Sequence, residues 1–186
     1  MAGTLTVQNI QGPTSGDNAN KIIVPSGHTF DASGGTLVPS AGQVVQTVKS
    51  SKVTAAIDTT TTTKAEISSS YRVSLTPKFD NSVLFLTYQA GFNVGDNTRM
   101  GIDFMVGTNS DYSSMVRIDA TSVDETVRTA GATVTTKRLA MMQYYTVDST
   151  ATRYFTMYFN RPMGSGGARV NDNTGASFLI VQEIAQ

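Results

Sequence analysis

Cysteine and tryptophan are absent from this 186-residue chain, and histidine occurs once, as His28. Without cysteine the chain can form no disulfide, no thiolate nucleophile and no cysteine-based metal site. One histidine cannot complete a zinc site alone, and a catalytic triad would have to form around an imidazole in a glycine-rich turn segment. The sequence therefore predicts a protein that is not an enzyme, with no catalytic, metal-binding or cofactor-binding residues.

Charge is also scarce, at 15% of the residues against about 25% in typical soluble proteins. The 14 basic and 14 acidic side chains cancel, which leaves no cationic excess to displace counterions from phosphates. We therefore expect no nucleic-acid partner. No stretch approaches the roughly 20 apolar residues of a membrane span, and the N terminus lacks the basic and apolar regions of a signal peptide. These absences predict no membrane insertion, and if the protein works outside a cell, release by lysis fits better than ordinary secretion.

The sequence gives weak signals for a carboxylate site, for a Ca²⁺ site with oxygen ligands and for a phosphate-binding loop. Asp103 lies inside an apolar strand pattern and is expected to face outward or to pair with Arg99 or Arg117. Residues 171–173, Asn-Asp-Asn, lack the glycine and terminal glutamate spacing of an EF-hand loop, so they are predicted to be a plain turn rather than a Ca²⁺ site. Residues 163–167, Met-Gly-Ser-Gly-Gly, lack the lysine of a phosphate loop and are predicted to be a hairpin loop.

Sequence typical of β-strands is abundant. Alternating or β-branched runs are separated by Gly, Asn, Asp and Ser turns, and helical periodicity is nearly absent. This pattern predicts an all-β fold, a jelly-roll-like antiparallel β-sandwich of about eight strands over residues 42–186, with immunoglobulin topology as the alternative. The predicted strands are 43–48, 71–76, 82–88, 100–106, 114–118, 133–147, 154–159 and 177–184.

Three further features of this domain carry predictions. Residues 82–88 are apolar on both faces, so we expect burial once in the sandwich and again against a neighbouring sheet or subunit. The threonine run at 59–63 is predicted to be a strand edge or surface loop. Six aromatic residues are predicted to pack in the core, with a subunit interface or a carbohydrate-stacking face as the alternative: Tyr144, Tyr145, Tyr154, Phe155, Tyr158 and Phe159.

The N-terminal residues 1–41 differ from the rest. Short apolar or alternating runs at 5–10 and 21–24 are interrupted by turn-rich sequence. Two or three such strands cannot close a core, since an isolated hairpin is marginal in water. We therefore expect an N-terminal attachment arm with an extended β character that finds partners on other chains, with a floppy leader as the alternative.

Several of these segments resemble one family. Residues 42–47, Gly-Gln-Val-Val-Gln-Thr, resemble the C-terminal β-domain of structural and fibre proteins from tailed phages, especially marine ones. The same holds for 74–77, Ser-Leu-Thr-Pro, shortly before 83–86, and for the closing 178–185, Phe-Leu-Ile-Val-Gln-Glu-Ile-Ala. Residues 5–10 and 21–27 resemble the attachment arms of such proteins. The resemblance implies a virion component, a homotrimer around a three-fold axis, held to capsid or tail proteins through residues 1–41.

No repetitive shaft separates arm and head, so the resemblance favours a short fibre, a head fibre or a capsid decoration protein over a long tail fibre. Such a bacteriophage protein would be assembled in the host cytoplasm and released with the virion by lysis. The alternative is a receptor-binding head that recognises host-surface glycan through loops 93–98, 108–112 or 164–173. A polysaccharide-degrading enzyme is disfavoured for want of an acid/base pair. A trimer would also bring three His28 side chains together, which is a hypothesis for an ion site.

Overall fold

The computed structural model describes residues 13–17, 19, 23–28, 39–95, 97–118, 125–128, 135–171 and 175–186; for 125–128 and 135–137 this holds for the backbone only. The chain divides into two compact units, Met1–Val38 and Pro39–Gln186. The predicted arm strand at 5–10 lies outside the described residues, as do positions 21 and 22 of the second one. The boundary after residue 41 and the role of the arm stay predictions.

The second unit is built from β-strands. All eight predicted strands are present, and the segment 133–147, long enough for one bent strand or two, contains one strand. Four short strands, at Ile57–Thr59, Ala65–Glu66, Glu125–Arg128 and Ala168–Val170, are additional, and a 3₁₀ turn at Ser69–Tyr71 is the one helical element among the described residues. The strands are β1 (Val44–Lys49), β2 (Ile57–Thr59), β3 (Ala65–Glu66), β4 (Val73–Leu75), β5 (Val83–Val94), β6 (Arg99–Gly107), β7 (Val116–Arg117), β8 (Glu125–Arg128), β9 (Thr135–Thr146), β10 (Arg153–Met163), β11 (Ala168–Val170) and β12 (Phe178–Ile184).

The strands form two antiparallel sheets. Sheet I contains β1, β12, β5, β9, β11 and β2, and sheet II contains β3, β4, β10, β6, β7 and β8. β5 is central in sheet I, because β9 pairs along one side of it while β12 and β11 pair with successive parts of the other side. β10 is central in sheet II, between β6 on one side and β4 and β3 on the other. The predicted all-β, jelly-roll-like antiparallel sandwich is confirmed.

Alternation along the strands explains the sandwich. Leu84 and Leu86 of β5 point into the core with no exposed surface, as do Phe155 and Met157 of β10 in the opposite sheet. Burial of each such side chain contributes about 1.5–3 kcal/mol. The other face of β5 carries Phe85 among side chains that are only half-buried. The two-sided apolar character predicted for this strand is therefore present.

Two connections cross between the sheets at one end of the sandwich. Residues 95–98 lead from β5 in sheet I to β6 in sheet II, and residues 164–167 lead from β10 in sheet II to β11 in sheet I. The prediction that 163–167 form a hairpin loop is wrong, because these residues join strands of different sheets.

Glycine lets these two connections pack backbone against backbone. The N–H of Gly95 donates to the carbonyl oxygen of Gly167 at 2.8 Å. A Cβ atom on Gly164, whose φ is +96°, would lie 2.5 Å from the carbonyl oxygen of Asn97. A side chain at that position would therefore combine a steric clash with an unfavourable backbone conformation. The glycines of residues 164–167 thus serve this close approach.

A buried carboxylate holds the loop at the opposite end of β5. Glu183 of β12 has no exposed surface. Its carboxylate accepts hydrogen bonds from the N–H groups of Lys78 and Phe79 at 2.8 and 3.1 Å. It also accepts from Ser82 Oγ at 2.8 Å and from Gln46 Nε2 at 2.6 Å. Because charge-assisted hydrogen bonds are strong, these donors fix the β4–β5 loop, which carries the chain from sheet II to sheet I.

Candidate functional site

The outer face of sheet I is the main candidate surface. Strands β1, β12, β5 and β9 lie side by side, and their register places the outward side chains in four rows. We call this set of side chains the apolar face. Its rows are Val44, Ile184, Val83 and Thr146; Thr47, Gln182, Phe85 and Tyr144; Lys49, Ile180, Thr87 and Met142; and Phe178, Gln89 and Ala140.

Charge is almost absent from the apolar face. Lys49 is the single charged residue of these four rows, and the Lys49 ammonium lies 4.0 Å from the centroid of the Phe178 ring, a cation–π distance. The next outward position of β9 is charged and exposed Arg138, opposite Gly91 of β5. Large apolar side chains are nevertheless accessible: Tyr144 is 64%, Met142 59% and Val44 53% exposed. Four strands about 4.8 Å apart and about 23 Å long project an area of about 400 Å², a size at which apolar patches are often functional.

The edge strand β9 extends this surface sideways. All twelve residues of β9 pair with β5, and no strand in the described part of the chain pairs with its other edge. Residues 139–146, Leu-Ala-Met-Met-Gln-Tyr-Tyr-Thr, contain no charged residue, proline or glycine. Proteins usually protect a long exposed edge with lysine, proline or a bulge. Lys137 and Arg138 lie in the first part of β9, whereas residues 139–146 lack such protection, which makes this part of the edge a candidate for contact with another surface.

The outer face of sheet II is polar instead. Asp103 of β6 is only 4% exposed, and its carboxylate lies 2.5 Å from Lys64 Nζ and 3.6 Å from Arg117 Nη1. These three residues line an open pocket of about 350 Å³ together with Met105 and Val116. The predicted pairing of Asp103 with Arg117 is confirmed. Lys64 was not foreseen, because it precedes a two-residue strand that carries no recognisable pattern.

A second ionic cluster lies on the same face. Arg72 donates two hydrogen bonds of 2.8 Å to Glu66, and Thr156 Oγ1 donates a third of 2.8 Å. Burial raises the pKa of Glu66, but the hydrogen bonds from Arg72 and Thr156 outweigh it, so the pKa lies below its ordinary value of 4.5. Arg72 also lies 4.6 Å from the centroid of the Tyr112 ring, which meets the Tyr154 ring edge to face at 5.5 Å. Glu66, Arg72 and Thr156 thus satisfy one another within this face.

The six aromatic residues singled out in the sequence divide among three places. Phe155 and Phe159 belong to the core, as predicted, and Tyr145 packs against it. Tyr144 lies in the apolar face, where its ring is 4.9 Å from that of Phe85. Tyr154 and Tyr158 alternate with buried residues of β10 and lie on the outer face of sheet II. They do not form one surface, because β9 and β10 belong to different sheets.

The three predicted recognition loops do not form one cluster. Residues 93–98 meet residues 164–167 at the crossover end, through the hydrogen bond between Gly95 and Gly167. Residues 108–112 follow the other end of β6, and a strand of nine residues separates its ends by about 26 Å. The predicted site 164–173 also includes positions 172 and 173, which lie outside the described residues.

His28 and Asn171 were the remaining candidates from the sequence. His28 is exposed in a turn that its own N–H closes by donating to the carbonyl oxygen of Pro25 at 3.1 Å. Asn171 is 2% exposed, with φ of +66°, and its Nδ2 donates to the hydroxyl of Tyr71 at 3.0 Å. The described residues contain no group of three or more side chains placed to hold a metal ion.

No helix in the described part of the chain is long and apolar enough to cross a membrane. No protein-family model and no curated protein sequence matches the chain. The chemistry of the surface therefore carries the functional argument.

Proposed function

We propose that this chain is a non-enzymatic structural protein of a tailed-phage virion, a homotrimeric short fibre or capsid decoration protein. The apolar face of sheet I carries the proposal. An antiparallel sheet that faces water normally presents polar side chains on that side, whereas this one presents Val44, Phe85, Met142 and Tyr144. A surface of that composition is stabilised by burial against another protein. Assembly, rather than catalysis, is the function it fits.

The assignment to a virion draws on sequence. Residues 42–47, 74–77 and 178–185 resemble the β-domains of phage structural and fibre proteins, and residues 5–10 and 21–27 resemble their attachment arms. In this proposal residues 1–41 hold the protein to the capsid or tail, the particle is assembled in the host cytoplasm, and lysis releases it.

Deletion of residues 1–41 tests the attachment. The head should still fold, because its core and its Glu183 loop anchor lie within the second unit. It should then be missing from purified particles, which quantitative mass spectrometry of virion proteins would measure. Incorporation of the truncated protein at the normal copy number would contradict the attachment role.

Recognition of host-surface glycan is a second candidate, and the outer face of sheet II favours it. Tyr112, Tyr154 and Tyr158 are half-buried there beside Arg72. Partly exposed tyrosines offer sugars an apolar ring face and a polar tip. Binding on a glycan array that is lost on Tyr154→Ser but kept on Tyr144→Ser would support this role, and equal binding by both variants would contradict it.

A further inference from the structure

We infer that the apolar face is the subunit interface of a closed ring of three copies, in which the β9 margin of one copy packs against the β1 margin of the next. This inference rests on the proposed trimer. A second copy of this chain covers the face, and the two margins that meet are those of β9 and β1.

The distribution of exposure across the face favours a ring. Val44 on β1 is 53% exposed, and Met142 and Tyr144 on β9 are 59% and 64% exposed, whereas their neighbours Ile184 and Phe85 on the central strands are half-buried. The accessible apolar side chains thus lie at both lateral margins. Each subunit of a ring uses two different patches, one for each neighbour, whereas a two-fold dimer uses one patch twice. Two margins of different composition, Val44, Thr47 and Lys49 on β1 and Met142 and Tyr144 on β9, fit the first arrangement.

Charge favours the pairing of unlike margins. The β1 margin carries Lys49 in the same row as Met142, and the β9 margin is uncharged from 139 to 146. Packing β1 against β1 would bring two Lys49 ammonium groups together, and like charges facing each other across a sheet contact destabilise it. Packing β9 against β1 instead places Lys49 against the uncharged side chains of residues 139–146, so that no like charge faces it.

Charge also argues for a second copy over an unrelated charged partner. Lys49 is the only charged residue of the four rows, with Arg138 next to them, so an acidic protein or a nucleic acid would bury most of its own charges without compensation. A copy of the same face brings threonine, glutamine and apolar side chains that match it. The projected area of about 400 Å² is less than the roughly 800 Å² that each partner buries in a standard interface. The open edge of β9 must therefore contribute as well.

The absence of cysteine makes a direct test possible. A disulfide or a bis-maleimide link can form only between cysteines that are introduced. We expect the full-length Val44→Cys/Tyr144→Cys variant, cross-linked and then denatured, to run as monomer, dimer and trimer, with trimer as the largest species. The single variants Val44→Cys and Tyr144→Cys should remain monomeric on the same gel. The matched control Ser74→Cys/Val116→Cys, at exposed positions on sheet II strands, should give no trimer.

The remaining outcomes are separable. Covalent dimers from Tyr144→Cys alone would indicate a two-fold contact and would overturn the ring. A ladder that continues beyond three copies would indicate an open filament and would overturn it too. A trimeric mass in solution without cross-linking of the double variant would overturn this interface and leave the proposed trimer standing. A monomeric mass for the full chain would remove the trimer itself, and the inference with it.

Discussion

The outer faces of the two sheets differ in how their side chains are stabilised. On sheet II, charged side chains are paired within the face, Asp103 with Lys64 and Glu66 with Arg72. On sheet I, the apolar face has Lys49 as its only charged residue and presents Met142 and Tyr144 to solvent. A face whose polar groups are already hydrogen-bonded is stable in water, whereas exposed apolar area gains free energy on burial. In the proposed function, sheet II is the solvent side of the sandwich and the apolar face is its assembly side.

Introducing charge into the apolar face should have the largest effect on assembly. Met142→Lys/Tyr144→Lys would place two ammonium groups in the proposed interface. Removal of well-packed anchors from an interface typically costs at least about 2 kcal/mol, so we expect the subunit dissociation constant to rise by about 30-fold or more. Sedimentation over a concentration series measures this shift. The matched Ser74→Lys/Val116→Lys variant should stay assembled, and equal dissociation of both variants would contradict the distinction between the faces.

Removal of the Asp103 carboxylate tests the other side. Asp103→Ala would leave Lys64 and Arg117 close together without their shared anion. Loss of one partner of a buried pair costs 3–5 kcal/mol, and because the two cations are 32% and 24% exposed we expect about 2 kcal/mol less stability towards urea. The mass of the assembly should not change. Asp58→Ala, which breaks the exposed pair with Arg169, should cost no more than about 1 kcal/mol. An equal cost for both variants would show that the Asp103 site is not special.

Acid titration tests the contribution of the Glu66 carboxylate on sheet II. The pKa of Glu66 is lower in the folded head than its ordinary value of 4.5, so its carboxylate stabilises the head above that pH. This contribution declines as the pH falls from about 4.5 and is lost once the pH is below the folded pKa. Glu66→Gln should therefore be less stable than the parent chain at pH 7, with a smaller difference at pH 3. Thermal unfolding at both values measures it, and a constant difference would contradict the assignment.

Lys49→Gln should have the smallest effect. It removes an exposed cation–π contact with Phe178, which contributes about 0.5 kcal/mol to folding. The exposed Lys52 offers a matched control, since Lys52→Gln changes the net charge equally and should leave the stability to urea unchanged. A larger loss for Lys52→Gln than for Lys49→Gln would show that net charge, not the ring contact, dominates.

Sequence periodicity predicted the parts of the fold that depend on local pattern. The alternation in residues 82–88 predicted both the core face of β5 and the second apolar side that led to the candidate surface. Strands of two or three residues, such as β2, β3 and β11, are too short to show a period. The glycines at 164–167 indicate backbone freedom but not topology, and so a crossover between sheets was mistaken for a hairpin.

Contacts between residues far apart in the sequence could not be predicted from the sequence. Lys64 and Asp103 meet because β3 and β6 both flank β10, and no local signal links them. Tyr144 and Tyr154 are close in sequence yet lie on opposite outer faces, because the turn between β9 and β10 changes sheets. Glu183 looked like one position in an alternating strand, and the donors that hold it lie in a loop about 100 residues earlier.

The molar mass of the full chain in solution tests the central claim, that the apolar face is covered by other copies. Light scattering at increasing protein concentration should give a plateau at three times the chain mass of 19.8 kDa. The same measurement on Met142→Lys/Tyr144→Lys should give the mass of a single chain. A parent protein that stays at 19.8 kDa at every concentration would contradict the account.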